Sequence, residues 1–129
     1  MNKKLKVVEL FAGVGGFRIG LEGFNSKSSL SNYKEFKRFN FDVIFSNQWE
    51  PNYKNQFASR VYESIWGDKD HYNMDIKELI KDLPNSIPDH DVLVGGFPCQ
   101  DYSVAKNLNK ADGIIGEKGS LWWSIYEII

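Results

Sequence analysis

The stretch Lys6-Val7-Val8-Glu9-Leu10-Phe11 runs directly into Ala12-Gly13-Val14-Gly15-Gly16, and this constrains the fold more than any other feature. The apolar run reads as a first strand, largely buried, and the glycines after it read as a tight turn. Phe17, Ile19-Gly20-Leu21 and Phe24 then recur with helical spacing, so the turn opens a short helix. A strand, a glycine turn and a helix in succession form the start of a βαβ unit. The turn lets a ligand approach the backbone and sets the free N–H groups of the helix beside it.

The rest of the chain continues the alternation. Phe41-Asp42-Val43-Ile44-Phe45-Ser46 is rich in aromatic and β-branched residues and reads as a second strand. Pro51 suits the first turn of a following helix, and Tyr53, Phe57, Val61 and Ile65 come at a spacing of four, which predicts a core-packing stripe ended by Gly67. Asp75 with Glu78 matches a capping box for a third helix through Leu83, stopped by Pro84. Asp91 to Val94 is a further strand, and Ser120 suits the N-cap of a last helix carrying Leu121, Trp122, Ile125 and Ile128. Residues 25–40 are polar and Ser/Asn/Lys-rich and read as an insertion, partly helical around Tyr33 to Phe39. Strands alternating with helices predict an α/β fold with a parallel sheet and right-handed crossovers.

At 129 residues the chain is long enough for one domain with a modest core. Its 42% hydrophobic and 26% charged content exclude a disordered chain. A single cysteine excludes an intrachain disulfide framework and fits a reducing compartment, and no run approaches the ~18 apolar residues of a membrane helix. The expectation is a cytoplasmic protein with no membrane partner. The net charge of −1 shows no basic balance, so a nucleic-acid partner would need a binding surface elsewhere. The chain stops at Glu127-Ile128-Ile129 inside an apparent amphipathic helix, which suggests the front part of a longer protein.

That one cysteine, Cys99, lies in Gly95-Gly96-Phe97-Pro98-Cys99-Gln100, straight after Val92-Leu93-Val94. A lone free cysteine is most often a small buried hydrophobe. Here the glycine pair and Pro98 argue for a shaped turn at a strand's carboxyl end, where open α/β sheets bind ligands, so Cys99 is a candidate nucleophile. About twenty residues without periodicity follow, as in functional loops. Lys106, Asn107, Asn109, Lys110 and Lys118 in that stretch suit either a polyanion or a solvated loop.

The glycine turn does not fit a dinucleotide. In G-x-G-x-x-G counted from Gly13, the sixth position is Arg18, and the acid expected about 20 residues on is missing from a strand end. A nucleoside-type cofactor without a pyrophosphate fits better. Asn47-Gln48-Trp49-Glu50 sets a large aromatic among polar groups. Trp49 fits two readings equally, stacking on a purine or half-buried beside a helix start. Gln48 or Glu50 suits a ribose, and Asp75 suits both a helix cap and a purine amino group.

The chain resembles the amino-terminal part of the DNA (cytosine-5)-methyltransferases, most like those of bacterial restriction-modification systems. The resemblance rests on Val8 through Arg18, on Gly96-Phe97-Pro98-Cys99-Gln100 with Tyr102-Ser103, and on three segments in the right order. These are Asn47-Gln48-Trp49-Glu50, Asp75-Ile76 and Lys118-Gly119-Ser120-Leu121-Trp122. It implies a Rossmann-like parallel sheet with flanking helices, the class I S-adenosylmethionine-dependent methyltransferase fold. It also implies S-adenosyl-L-methionine as cofactor and no metal.

Under it, Phe11, Gly13, Gly15, Gly16 and Phe17 hold the methionine end. Trp49 lies against the adenine with Asp75 and Ile76 at its edge, Gln48 or Glu50 meets the ribose, and Phe97 and Leu121 complete the pocket. Cys99 is the catalytic thiolate that adds to cytosine C6, and Pro98, Gln100 and Ser103 contact the substrate. Two departures stand out. Gln48 occupies a position where the family commonly has an acid, and Lys118 replaces an arginine, keeping the charge but losing the bidentate fork.

The family's Glu-Asn-Val motif, its later arginine and its target-recognition region are absent before Ile129. The resemblance therefore implies that residues 1–129 are the amino-terminal part of the catalytic domain and inactive alone. Double-stranded DNA is reached through the complete enzyme, and a complementing carboxy-terminal fragment is a possible partner. A noncatalytic S-adenosylmethionine-binding module is the alternative. A nicotinamide-dependent dehydrogenase is disfavoured by Arg18, and a redox thiol by the want of a resolving cysteine.

Overall fold

The computed structural model describes residues 3–31, 33–35, 40–98 and 120–129, with only the backbone of 34 and 35. Its centre is a four-stranded parallel sheet in the order β5-β4-β1-β6, formed by β1 (Leu5–Leu10), β4 (Phe41–Asn47), β5 (His71–Tyr72) and β6 (Val92–Gly95). The chain moves outward from β1 to β4 to β5, then returns to the other side of β1. The strand order thus reverses between β1 and β6, which places a ligand crevice at their carboxyl ends.

One sheet face is apolar. Val8 and Leu10 of β1 and Phe45 of β4 form a core with Ile76 and Leu79 of α3 (Ile76–Leu79), Ile87, and Ile125 of α4 (Leu121–Ile128). The opposite face carries polar groups that are nonetheless buried. Glu9 is 0% exposed, and its carboxylate accepts from the Tyr62 hydroxyl at 3.0 Å and the Arg18 backbone N–H at 3.4 Å. Arg18, on α1 (Gly16–Glu22), donates to Tyr62 Oη at 3.1 Å and to Glu22 at 2.9 Å. Its guanidinium also lies over the Trp66 ring, 5.0 Å from the centroid.

Glu22 closes this network at a sheet irregularity. Val7 pairs with Val43 but Val8 pairs with Phe45, so Ile44 is the extra residue of a bulge. The Val43 N–H donates to the Glu22 carboxylate at 2.7 Å. His71 is buried on the same side, between Ser46 Oγ (2.8 Å from Nδ1) and Ser59 Oγ (2.6 Å from Nε2), and stacks on the Tyr62 ring at 4.3 Å.

Several expectations need correction. The second helix, α2, spans Phe57–Trp66 and does not begin at Pro51. Its stripe Tyr53, Phe57, Val61 and Ile65 is exposed, and the helix buries Ser59 and Tyr62. The cause is the polar sheet face: Tyr62 must reach Glu9 and Ser59 must reach His71, so the packed helix face is itself polar. Phe24 does not continue α1. It begins β2 (Phe24–Asn25), which pairs antiparallel with β3 (Lys34–Glu35) in a separate two-stranded sheet.

Lys34 and Glu35 are therefore strand, not helix: they pair with Asn25 and Phe24, and the Ser26 N–H donates to the Tyr33 carbonyl at 3.2 Å. Residues 36–39 lie outside the described residues. The third helix closes after one turn at Leu79 and tightens to a 3₁₀ turn over Ile80–Asp82. Asp75 does cap it, accepting from the Lys77 N–H at 2.9 Å, but Glu78 pairs with Lys81 Nζ at 2.6 Å instead of completing a capping box. The two-residue strand β5 had no signal in the periodicity, being too short to show one.

Candidate cofactor-binding site

The carboxyl ends of β1, β4 and β5 converge on one cavity of about 340 Å³, within the ~300–1,000 Å³ usual for small-ligand sites. Phe11 supplies its wall from β1. Asn47 to Tyr53 supply the wall after β4, and Asp75, Ile76 and Lys77 the wall after β5. Pro98, beyond β6, and Leu121, at the start of α4, close the remaining sides.

The backbone at this site is tightly determined. Phe11 has φ 53°, a left-handed conformation that a bulky L residue adopts only when its surroundings impose it. The constraints are visible. The Phe97 ring meets the Phe11 ring edge-on at 6.5 Å, and the Ala12 N–H donates to the Asn47 carbonyl at 2.9 Å. The Gly13 N–H donates to Gln48 Oε1 at 2.8 Å, and the Gly15 N–H to the Ala12 carbonyl at 2.9 Å. Gly15 has φ 93°, and a Cβ there would overlap the Trp66 indole. The Trp66 Nε1 is enclosed and has no hydrogen-bond partner among the described residues.

The loop after β4 is braced by Gln56, Asn73 and Asn47. Gln56, 9% exposed, donates from Nε2 to the Glu50 and Tyr53 carbonyls at 2.8 and 2.7 Å, and its Oε1 accepts from the Glu50 N–H at 2.8 Å. Asn73 donates to the Gln48 carbonyl at 2.7 Å, and Asn47 donates to the Tyr72 and Met74 carbonyls at 3.0 and 2.8 Å. Asn47 is conspicuous in the sequence as part of its motif. Gln56 and Asn73 only become visible once the loop conformation is known.

Of the residues singled out in the sequence, the cavity unites Phe11, Gln48, Trp49, Glu50, Asp75, Ile76, Pro98 and Leu121. The Trp49 side of the site is open, with the residue 38% exposed, whereas the Ile76 side chain is also part of the apolar core. Gly13, Gly15, Gly16, Phe17 and Phe97 do not line it. Gly13 is bonded to Gln48, Gly15 lies under Trp66, and Gly16 begins α1. The Phe17 ring approaches Gly96, and Phe97 sits between Phe11 and Trp122. Cys99, Gln100 and Ser103 lie outside the described residues, as do Lys106, Asn107, Asn109, Lys110 and Lys118.

The buried groups with shifted titration do not line the cavity; they lie in the polar layer between the sheet and α2. Burial raises the Glu9 carboxyl above its ordinary range, against the opposing bond from Tyr62. Burial also pushes the Tyr62 hydroxyl up to about 12 and holds the His71 imidazole below its usual value. Among the described residues no three His, Cys, Asp or Glu side chains are grouped to hold a metal, and no helix is long and apolar enough to cross a membrane.

An open parallel sheet that reverses beside β1, with a glycine turn and an aromatic and two carboxylates gathered at the strand ends, defines an α/β domain of the methyltransferase type. The chain belongs to the C-5 cytosine-specific DNA methylase family, whose profile matches residues 5–129. Type II methyltransferase M.Sau3AI of Staphylococcus aureus is 47% identical over 129 residues, 100% of this chain and 28% of that protein. Type II methyltransferase M.HaeII of Haemophilus aegyptius is 34% identical over 127 residues, 98% of this chain and 31% of that protein. M.HhaI of Haemophilus parahaemolyticus, also a Type II methyltransferase, is 32% identical over 125 residues, covering 97% and 30%. The chain thus spans under a third of the length of these curated relatives.

Proposed function

We propose that this chain binds S-adenosyl-L-methionine and carries the nucleophile of a DNA (cytosine-5)-methyltransferase. The observation that carries the cofactor reading is the single cavity joining Phe11, Trp49, Glu50, Asp75, Ile76 and Leu121, which are scattered over the whole sequence. Its donor set suits a nucleoside. Trp49 offers a partly exposed π-face to a purine, Asp75 an acceptor for an exocyclic amine, and Gln48 and Glu50 polar groups for a ribose. Phe11 supplies an apolar wall, and the glycine turn beside it brings the backbone close. When bound, S-adenosylmethionine supplies an electrophilic methyl group.

Cytosine C5 is a weak nucleophile, and this is what Cys99 addresses. Its thiolate adds to C6, the C5–C6 electron pair moves toward C5, and C5 becomes nucleophilic enough to be alkylated. Loss of the C5 proton and expulsion of the thiolate then regenerate both the aromatic ring and Cys99. A thiol with an ordinary pKa of about 8.5 is only a few per cent ionised at neutral pH, so the site must favour the thiolate. The base is reached only by flipping it from the duplex. Support for Cys99 is its sequence position, next to the cavity residue Pro98 in the segment matched to the family. Roles at the substrate for Pro98, Gln100 and Ser103 rest on the same match. Turnover requires sequence beyond these 129 residues, which contain no Glu-Asn-Val motif.

The test is transfer of radiolabelled methyl to DNA by the full-length protein. Transfer is expected, and Cys99→Ser should abolish both transfer and the covalent protein–DNA adduct. Binding of labelled cofactor without any transfer from the intact protein would favour the noncatalytic module. Transfer that survives in Cys99→Ser would overturn the covalent route.

A further inference from the structure

Gln48 stands at the junction of two parts of the site. Its backbone is fixed on both sides, since its N–H donates to the Tyr72 carbonyl at 3.2 Å and its carbonyl accepts from Asn73 Nδ2 at 2.7 Å. Its side chain is directed back across the sheet end to the glycine turn, where Oε1 accepts from the Gly13 N–H at 2.8 Å. A backbone N–H can only donate, so the amide orientation follows from the bond: oxygen toward Gly13, NH₂ away from it. Glu50, two residues on, also lines the cavity.

We propose that Gln48 is a positioning residue that latches the glycine turn in its ligand-receiving form, and that Glu50 consequently serves as the acceptor for the ligand's hydroxyl pair. The inference rests on the cofactor reading above and divides its labour. A carboxylate at position 48 could accept from Gly13 with one oxygen and from a hydroxyl with the other. The carboxamide has a single oxygen, which Gly13 engages, and its NH₂ can only donate. Gln48 therefore offers donors and Glu50 acceptors on either side of Trp49. A ribose hydroxyl, which donates and accepts at once, is complementary to that pair. The latch also carries no charge, so the turn is held in the same way at any pH.

Two readouts separate this inference from the reading it builds on. In the ligand-free chain, amide hydrogen exchange at Gly13 should speed up about tenfold or more in Gln48→Met, while Gln48→Glu, which keeps an acceptor, retains protection. Gln48→Asn, one methylene shorter, should behave as Gln48→Met with the polarity preserved. Unchanged Gly13 exchange in Gln48→Met or Gln48→Asn would overturn the latch.

Calorimetric titration with S-adenosylhomocysteine, and with its analogue lacking the ribose hydroxyls, tests Glu50. Glu50→Gln should weaken the former about tenfold or more and the latter little. Equal weakening of both, or of neither, would overturn the assignment to Glu50. Absence of S-adenosylhomocysteine binding by the unmodified chain would instead refute the cofactor reading and leave the exchange result to decide the latch.

Discussion

Removing one hydroxyl, in Tyr62→Phe, should destabilise the chain by about 2–4 kcal/mol at neutral pH. The Tyr62 side chain is 0% exposed, and its hydroxyl is both donor to Glu9 at 3.0 Å and acceptor from Arg18 at 3.1 Å. A net hydrogen bond to a charged group contributes about 1.5–3 kcal/mol, and here two are lost at once. Relaxation lowers the sum, because Arg18 keeps its pair with Glu22 and Phe preserves the stack on His71.

The effect should depend on pH. The folded Glu9 carboxyl already titrates above its ordinary value because of burial, so its contribution to stability is complete below the unfolded value and is lost as pH rises through the folded one. Deleting the Tyr62 bond removes an interaction that lowers the folded value and shifts it further up. The difference between variant and parent should therefore widen from pH 5 to pH 8. Urea unfolding followed by tryptophan fluorescence at both pH values measures it. His71 titrates in both proteins and largely subtracts. A cost below about 1 kcal/mol, equal at both pH values, would refute the claim that Tyr62 holds the buried, ionisable Glu9.

Gly15→Ala combines φ 93° with overlap of the Trp66 indole and should cost about 2–4 kcal/mol in urea unfolding. Gly20→Ala, in mid-helix with open space at its Cβ, should stabilise by up to about 1 kcal/mol in the same assay. His71 is held neutral by burial, so the stability it lends is complete above its ordinary value of about 6.5 and declines as pH falls through the lowered folded value. Thermal melts of the parent and His71→Leu between pH 7.5 and 5.5 should converge as the pH falls. Parallel profiles would show that His71 is not the titrating group.

The elements that were legible in the sequence are those whose neighbours are apolar. β1, β4 and β6 are apolar runs within a buried parallel sheet, and each appears within a residue or so of its expected place. α4 buries Ile125 as its periodicity requires. α2 was misread for the opposite reason. Hydrophobic periodicity locates a packed face only when the opposing surface is also apolar, and the surface beneath α2 presents Glu9 and His71. Ser59 and Tyr62 look like solvent-facing residues in a sequence and are the packed ones in the structure. A glutamate within the apolar run Val7-Val8-Glu9-Leu10 was the available signal that this face would be polar.

The site shows the same division between residue type and residue geometry. Phe11, Trp49, Glu50, Asp75 and Leu121 were legible because aromatic, acidic and apolar groups at strand ends announce their chemistry directly. The glycine turn is legible too, but its working parts differ from residue to residue: Gly13 is a hydrogen-bond donor to Gln48, and Gly15 is a space for Trp66. Neither partner adjoins the turn in sequence, and neither pairing has a period or a spacing. The left-handed Phe11 backbone is likewise set by contacts from two other segments, Asn47-Gln48 on the adjoining Ala12 and Gly13 and Phe97 on the Phe11 ring. Preorganisation is therefore where sequence reading stops here. The residues that line the cavity announce themselves by side-chain chemistry, whereas those that brace the loop after β4, Gln56 and Asn73, carry their role only in their distances.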